Sequence, residues 1–372
     1  MSWLIAVGLA ALLVLAALGY VGGYFAWEAR RTRGTAYFGA PVAERRAIKR
    51  QIARLSLPAL PVVRLLSWLR RGHAAMPTFR FRDVAGPPNI CSPATFEAAS
   101  RYEPGAGDVF IATQMRSGTT WMQQIVYQIV TRGTGALDDA RFSHLYMMSP
   151  WIETEDGVGV SEAPRFGEPP LRIIKTHLPA ALCPYAARAK YICVARNPLS
   201  CFASIVDLDR MLAGPLLPSV ESMAEWFCSD AMHWGSWPNH VRGWWDLAAT
   251  HENVLFVHFE EMTRDFGVVR DRVAQFLGIA LSPDEARRVD ARCSFEFMTL
   301  HEEFFEMARP TMFSVRGGRF LRTGQANRDA GLPEPVRARI RAFCWQGLRS
   351  GSYPIARFYP DLADSTMESQ AS

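Results

Sequence analysis

The first 28 residues form the most apolar part of the chain. Residues 3–27 contain no charged side chain. At about 1.5 Å per residue, a helix of this length can cross a hydrocarbon core of about 30 Å. A cleaved signal peptide is the alternative, but its apolar core usually follows basic residues, and no Lys or Arg precedes this one. We therefore expect residues 1–28 to be a single-pass transmembrane anchor.

The next segment, residues 29–77, combines apolar and basic residues at helical spacing. Pro58 and Pro61 fall in its middle, and because proline interrupts a helix, two short helices are predicted. They could pack on the following domain as ordinary amphipathic helices. They could also form a basic juxtamembrane element on an anionic lipid surface, which the neighbouring apolar segment favours.

Beyond residue 105, short apolar stretches alternate with segments of helical periodicity. Buried strands are predicted at 108–113, 172–177, 189–196 and 253–262. Helices are predicted after the loop that follows the first strand, to about residue 130, and at 198–213, 219–234, 238–250 and 265–277. This alternation predicts an α/β fold, in which helices flank a parallel β-sheet. We assign this main domain to residues 78–362 and a disordered tail to 363–372.

Basic charge is concentrated beside the predicted anchor. Residues 30–82 hold thirteen Arg and Lys against one acid, Glu44, whereas residues 83–372 carry a net charge of −6. The main domain therefore lacks the basic surface of a nucleic-acid groove, and no nucleic-acid partner is expected. Basic residues beside a span stay on the cytoplasmic side, so the main domain should face the cytoplasm. Arginine greatly outnumbers lysine, as in GC-rich bacterial genomes, which suggests a bacterial inner membrane.

A phosphate-binding loop is the first candidate for chemistry. The sequence "QMRSGTTW" at 114–121 follows the first predicted strand and opens a helix. Backbone N–H groups at a helix N-terminus and the hydroxyls of Ser117, Thr119 and Thr120 can bind an anion, and Gly118 allows close approach. A simple helix cap is the structural alternative. The loop lacks the G-x-x-x-x-G-K-[ST] pattern of nucleoside triphosphatases.

The other candidates also follow predicted strands. Lys175 and His177 end the second strand, and Arg196 ends the third. Ligands of parallel sheets bind beyond the carboxyl ends of the strands, so these side chains should meet the loop. The seven cysteines are irregularly spaced and form no C-x-x-C pair, so no metal is expected.

Four motifs in this order resemble those of the cytosolic-type sulfotransferase family. They are "QMRSGTTW" (114–121), "RIIKTHLP" (172–179), "ICVARNPLSCFAS" (192–204) and "GSWPNHVRGWW" (235–245). The resemblance covers about residues 105–300. It implies a sheet related to that of P-loop nucleotide kinases. It also implies a donor co-substrate, 3′-phosphoadenosine-5′-phosphosulfate (PAPS), whose desulfated product is PAP.

The resemblance also implies a role for each matching residue. Arg116, Ser117, Gly118, Thr119 and Thr120 would hold the 5′-phosphosulfate. The remaining donor-binding residues are Arg196 and Ser204 for the 3′-phosphate, Trp121 and Phe295 for adenine, and Arg322 and Gly324 in the family's late glycine-rich signature.

His177 is the natural general base, because its intrinsic pKa lies near 6.5. Lys175 lies two residues earlier in a strand and therefore on the same face. With Arg116, it would stabilise negative charge on the leaving phosphate oxygen. A structural histidine is the alternative, and the surrounding K-T-H-L-P motif favours catalysis.

Three features depart from the family pattern. Arg116 stands where the family has lysine, and Phe259 where it has tyrosine. "FLRTGQANRDAG" (320–331) keeps only part of the late signature, and "VRGG" (315–318) offers a competing register. The contacts expected from Arg322 and Gly324 are therefore the weakest part of the assignment.

Two other functions remain open at this stage, namely a nucleotide kinase or nucleoside triphosphatase on the same fold, and a membrane-anchored binding protein without catalysis. The missing loop lysine argues against the first, and the presence of His177, Lys175 and Arg116 argues against the second. The acceptor pocket should be apolar, which fits a lipophilic or aromatic alcohol better than a sugar. The residues that the resemblance places at this pocket could equally form helix core; they are Met211, Leu212, Leu216, Leu217, Met223, Trp226, Phe227, Met232 and Trp234.

Overall fold

The structure, a computed structural model, describes residues 2–69, 76–137, 143–307, 309–313, 319–321 and 331–362. The strands are β1 (Phe79–Phe81), β2 (Val84–Gly86), β3 (Asp108–Thr113), β4 (Arg172–Thr176), β5 (Lys190–Ala195) and β6 (Val254–His258). The helices are α1 (Ser2–Thr32), α2 (Thr35–Phe38), α3 (Val42–Leu55), α4 (Leu60–Leu69), α5 (Pro93–Ser100), α6 (Thr119–Val130), α7 (Leu145–Met148), α8 (Pro198–Ala213), α9 (Val220–Phe227), α10 (Trp237–Thr250), α11 (Phe259–Arg264), α12 (Phe266–Leu277), α13 (Pro283–Cys293), α14 (Phe295–Leu300), α15 (Glu334–Leu348) and α16 (Ile355–Phe358).

The central sheet has four parallel strands in the order β4-β3-β5-β6. The predicted α/β fold with a parallel sheet is therefore confirmed. Two predicted boundaries are wrong. The fourth strand ends at His258, because a capping box formed by His258 and Glu261 starts α11 there. The helix predicted at 219–234 ends at Phe227.

Both faces of the sheet are covered, as expected for parallel strands. All six residues of β3 are buried. Val109 and Ile111 pack in one hydrophobic cluster, which includes residues of α6, α12 and α13. Phe110 and Ala112 point to the opposite face and pack in a second cluster. The sheet thereby becomes a rigid platform whose carboxyl edge carries the loops.

A third cluster fixes α8 beside that edge. It contains buried residues of α8, α9, α10 and α15 around Trp237. The N-terminus of α8 is set by Asn197, whose side-chain oxygen accepts hydrogen bonds from the backbone N–H groups of Leu199 and Ser200, and by Pro198 in its first turn. The helix begins directly after β5 and carries Ser204 back over the sheet edge.

The N-terminal residues form one long helix. Among the residues that the structure describes, only α1 is by itself long and apolar enough to cross a membrane, and its most apolar window is not buried against the rest of the protein. The helix continues past the uncharged stretch to Thr32.

The two predicted helices after the anchor are present as α3 and α4. The apolar stripe of α3 packs on the body, with Ile48 and Ile52 in the second cluster. Arg46 of α3 also forms an ion pair with Glu303, at an N–O distance of 2.5 Å. Of the two predicted basic helices, α3 therefore packs on the body of the protein. The following helix, α4, carries its apolar residues partly on an exposed face.

Candidate active site

The carboxyl ends of β3, β4 and β5 open into a cavity of about 1190 Å³. It exceeds the usual 300–1,000 Å³ of small-molecule sites, so it has room for two ligands. The structure brings ten of the predicted site residues into its wall. They are Arg116, Gly118, Thr119, Thr120, Trp121, Lys175, His177, Arg196, Ser204 and Phe295.

The loop between β3 and α6 is shaped by a glycine. Gly118 is the N-cap of α6 and has a φ of 102°, in the left-handed region. A Cβ atom at Gly118 would lie 2.7 Å from a ring carbon of Phe259. Thr119 is held by a hydroxyl contact of 2.6 Å to Thr113, and Ser117 is buried with its Oγ 3.4 Å from the Sγ of Cys201. The loop therefore presents the N-terminus of α6 to the cavity.

Replacing Gly118 with alanine is expected to weaken binding of PAP, the product that the resemblance implies, by more than about tenfold, since the Phe259 ring would have to move. Gly278→Ala is the matched control, because Gly278 also has a positive φ, of 78°, but has open space around it. Both variants should lose roughly 1–2 kcal/mol of stability through backbone strain. Titration calorimetry with PAP measures the difference, and equal affinity loss in the two variants would contradict this role of the loop.

His177 is buried with one ring nitrogen committed to the backbone. Its Nδ1 lies 2.7 Å from the carbonyl oxygen of Thr113. A carbonyl can only accept, so Nδ1 carries the proton and Nε2 keeps its lone pair. Burial lowers the pKa of His177 well below its usual value, and the positive charge of Lys175 lowers it further. The imidazole is therefore neutral at pH 7 and can accept a proton at Nε2.

Aromatic rings and a carboxylate hold His177 in place. The rings of Trp151 and Trp234 contact its imidazole edge to face, with centroids 5.0 and 4.9 Å away. The backbone N–H of His177 donates a 2.6 Å hydrogen bond to Oε1 of Glu153, which is fully buried. The two ring contacts restrict the orientation of the imidazole, and the hydrogen bond to Glu153 fixes the backbone that carries it.

Lys175 lies on the same side of the chain as His177 and also lines the cavity, as the alternation of side chains along a strand predicts. Its Nζ donates to the hydroxyl of Tyr146 at 3.0 Å and lies 3.4 Å from the ring centroid of Trp151. Burial lowers the pKa of Lys175 to about 7, although the carboxylate of Glu153 acts in the opposite direction. The lysine is therefore poorly compensated in the unliganded protein, and an anionic ligand would stabilise its charged form.

This pKa predicts a pH dependence for catalysis. Lysine acts as a cation only when protonated, so kcat/KM for the donor should fall as pH rises through about 7. The same decline in kcat should occur at higher pH, because bound donor favours the charged lysine. Lys175→Arg should remove the decline, since arginine stays protonated. If the decline persists in that variant, another group causes it.

Two arginines and a serine connect the loop to α8. Nε of Arg116 donates to Oγ of Ser204 at 3.0 Å, and Nη1 of Arg196 donates to the carbonyl oxygen of Arg116 at 3.2 Å. The guanidinium of Arg196 lies 4.3 Å from the ring centroid of Phe259. The charge of Arg116 also lowers the pKa of both Lys175 and His177. These groups form one continuous cationic surface along the cavity.

An aromatic surface lies at the other end of the loop. The ring of Trp121 stacks on Phe266, with centroids 5.7 Å apart and planes 10° from parallel, and its Nε1 donates to the carbonyl oxygen of Cys293. Phe295, the first residue of α14, also lines the cavity and is 41% exposed. Two aromatic side chains can thus contact a flat ring from this side.

The acceptor end differs partly from the sequence expectation. Leu212, Leu216, Leu217 and Trp234 line the cavity. Met223, Trp226, Phe227 and Met232 instead pack in the third hydrophobic cluster, together with residues of α8 and α15. For these four residues the alternative of a helix core is the one that the structure shows. An apolar helix face packs equally well against a ligand or another helix, and the pattern alone cannot distinguish the two.

Some functional residues lie outside the expected set, and some expected ones cannot be placed. Arg322, Gly324 and the alternative segment 315–318 lie outside the described residues. Glu153 and Trp151 belong to none of the quoted motifs, and the fold brings them into contact with His177. Within the described part of the chain, no group of three or more His, Cys, Asp or Glu residues is arranged to hold a metal.

Both the sequence and the fold of this chain are similar to those of known proteins. A family model described as "Sulfotransferase domain" matches residues 106–330. Sulfotransferase 1C2 of Homo sapiens is 31% identical over 229 residues, which cover 59% of this chain and 75% of that protein. The 3-alpha-hydroxysteroid sulfotransferase of Cavia porcellus is 31% identical over 221 residues, or 58% of this chain and 75% of that protein. The solved structure of mouse sulfotransferase SULT7A1 complexed with PAP has a TM-score of 0.57 at 19% identity, covering 79% of this chain and 99% of that one.

Proposed function

Because the chain belongs to the sulfotransferase family, we propose that it moves the sulfuryl group of PAPS to the hydroxyl of a lipophilic or aromatic acceptor. The observation that carries this proposal is the meeting of a phosphate-binding loop, a neutral histidine and a buried lysine in one cavity. The relative in the mouse structure is complexed with PAP, which supports the same donor here.

The donor would lie along the cationic surface. The loop from Arg116 to Thr120 supplies N–H groups and hydroxyls for the 5′-phosphosulfate. Arg196 and Ser204 supply donors for the 3′-phosphate. Trp121 and Phe295 provide aromatic contacts for adenine. PAPS is an organic co-substrate, and no metal is required for the residues to act in this way.

In the transfer step, the acceptor oxygen forms a bond to sulfur while the bond from sulfur to the bridging phosphate oxygen breaks. The acceptor proton passes to Nε2 of His177, which is neutral and oriented through its other nitrogen. Negative charge develops on the departing phosphate of PAP. Lys175 and Arg116 stabilise that charge, which is the main contribution to rate in this kind of displacement.

The acceptor end of the cavity supports a lipophilic alcohol or phenol. Its wall includes Leu212, Leu216, Leu217 and Trp234, beside His177. One relative is named as a hydroxysteroid sulfotransferase, which is consistent with an apolar acceptor that carries a hydroxyl group.

We further propose that residues 1–28 anchor the enzyme in a bacterial inner membrane, that residues 29–77 join the anchor to the domain 78–362, and that this domain faces the cytoplasm. The uncharged helix supports the anchor and the basic residues after it support the orientation. In bacterial cells expressing the full chain, protease should degrade the domain in inverted vesicles and leave it intact in spheroplasts. The reverse pattern would contradict the orientation.

Ligand-dependent thermal unfolding tests the donor assignment. PAP should raise the melting temperature more than adenosine 5′-phosphate at equal concentration, because binding to the native state stabilises by mass action. ATP with magnesium should raise the melting temperature less than PAP does. A larger shift with ATP and magnesium than with PAP would favour a nucleotide kinase instead.

A further inference from the structure

The membrane helix and the catalytic body share an interface. Tyr24 of α1 is buried against Ala59, Val63 and Met312. Four residues earlier, the hydroxyl of Tyr20 donates a 2.7 Å hydrogen bond to the carbonyl oxygen of Leu55, at the end of α3. From Tyr20 onward, α1 is therefore packed on the body.

The apolar part of α1 extends past the start of this interface. Its uncharged stretch, residues 3–27, continues seven residues beyond Tyr20. A hydrocarbon core of about 30 Å takes about 20 residues of helix, and any 20 consecutive residues of this stretch include Tyr20. A bilayer that covers the uncharged stretch therefore also reaches the adjacent turn between α3 and α4.

The helix that follows this turn, α4, has an exposed apolar face. Leu65, Trp68 and Leu69 are 57%, 61% and 62% exposed, and their spacing puts them on one face of α4, which we call the α4 lipid face. Leu57, in the turn before α4, is also exposed. Exposed apolar residues elsewhere in the described body are scattered, whereas a contiguous group beside an apolar span marks membrane contact.

The same two helices form a wall of the catalytic cavity. Phe25, Glu28, Ala29 and Thr32 of α1 and Ser67 of α4 line it, in common with Lys175 and His177. Ser67 is buried, whereas its neighbour Trp68 is exposed, so α4 separates the cavity from the surface that meets the lipid. The cavity wall on α1 starts five residues after Tyr20, or about 8 Å along the helix.

We propose that the acceptor enters the cavity sideways from the bilayer, between α1 and α4, with the α4 lipid face immersed in the membrane. This inference rests on the proposed function and adds the route and the acceptor class. The acceptor is a membrane-resident amphiphile whose hydroxyl group passes along α1 to His177 while its apolar part remains in the lipid.

The test compares two phenols that carry the same reacting group. 4-Ethylphenol is offered in water, and 4-hexadecylphenol in vesicles of phosphatidylcholine and phosphatidylglycerol that contain the protein of residues 1–372. The variant Leu65→Ser/Trp68→Ser/Leu69→Ser should lose at least about tenfold in rate on 4-hexadecylphenol and keep its rate on 4-ethylphenol. Val268→Ser/Leu300→Ser removes exposed apolar residues far along the chain and should change neither rate.

Equal rates of the triple variant and the wild type on 4-hexadecylphenol would overturn the proposal. If the wild type modifies neither phenol, the proposed acceptor class is wrong and the route is rejected with it. Transfer to 4-ethylphenol alone would keep the proposed function and reject the membrane route.

A second pair of variants decides the question if the triple variant fails to fold. Ala29→Trp narrows the cavity wall on α1, whereas Ala26→Trp adds the same ring at an exposed position of α1 that does not line the cavity. Only Ala29→Trp should slow transfer to 4-hexadecylphenol, with PAP affinity unchanged in both. Equal rates in the two variants would place the route elsewhere and overturn the proposal.

Discussion

His177→Ala is expected to lower kcat by about 10²–10⁴-fold, the usual contribution of a general base. The reason is that Nε2 of His177 is the neutral acceptor in the cavity, with Nδ1 held by the carbonyl of Thr113. PAP affinity should stay close to that of the wild type, because the imidazole contacts the acceptor proton and not the nucleotide. Steady-state kinetics with a phenol acceptor and calorimetry with PAP measure the two effects.

His233→Ala is the control for this variant. His233 is also buried and lines the same cavity, but its Nε2 is occupied by the carbonyl of Pro77 at 3.0 Å. Its loss should affect stability more than the rate of transfer. A His177→Ala enzyme that retains more than about a hundredth of the wild-type rate would exclude the role of base.

Arg196→Ala is expected to weaken PAP binding by about 10²-fold while changing the affinity for adenosine 5′-phosphate much less. Charge-assisted hydrogen bonds contribute about 1.5–3 kcal/mol each, and only PAP carries the 3′-phosphate. The guanidinium is already directed along the cavity by Phe259 and by the carbonyl of Arg116. Competition binding with the two nucleotides gives the ratio.

The ratio of the two affinity losses distinguishes a contact of Arg196 with the 3′-phosphate from a role of Arg196 in shaping the loop. Arg196 also holds the backbone of the loop through the carbonyl of Arg116. If its main effect were on loop shape, both nucleotides would lose affinity equally, and the assignment of Arg196 to the 3′-phosphate would be wrong. Ser204→Ala should act in the same direction with a smaller effect, since a neutral hydrogen bond contributes about 0.5–1.5 kcal/mol.

The strands and the location of the site were predictable because they depend on local patterns. The boundaries of β3 and α8 agree with the predicted segments 108–113 and 198–213. A short buried apolar run and a proline after an asparagine cap specify these elements directly. Parallel strands then bring the residues after them to one edge, which is why Lys175, His177 and the loop meet.

The surroundings of His177 were not predictable in the same way. Glu153 and Trp151 lie 24 and 26 residues before it and approach it only through the fold. Neither belongs to a spacing pattern, so nothing in the sequence distinguishes them from other buried residues. The end of β6 was missed because the predicted strand was continued through "HFEEM", where a capping box formed by His258 and Glu261 already starts a helix.

The N-terminal segment shows a further limit. An amphipathic helix buries its apolar stripe equally well in a protein core or in lipid, and the sequence of α3 fits both. The structure places Ile48 and Ile52 in the core, and it pairs Lys49 with Glu306. The residue types of α3 are those of a membrane-surface helix. Two of its basic residues are instead paired with acids of the body, which lie more than 250 positions later in the sequence and could not be identified from the local pattern.

Transfer of labelled sulfate from PAPS tests the central claim most directly. The protein of residues 1–372, without added metal, is incubated with [³⁵S]PAPS and a lipophilic phenol, and the products are separated into organic and nucleotide fractions. The account predicts a sulfated phenol and an equal amount of PAP, with His177→Ala reduced to about a hundredth of the rate or less. Binding of PAPS without label in the phenol, or transfer that His177→Ala leaves unchanged, would contradict it.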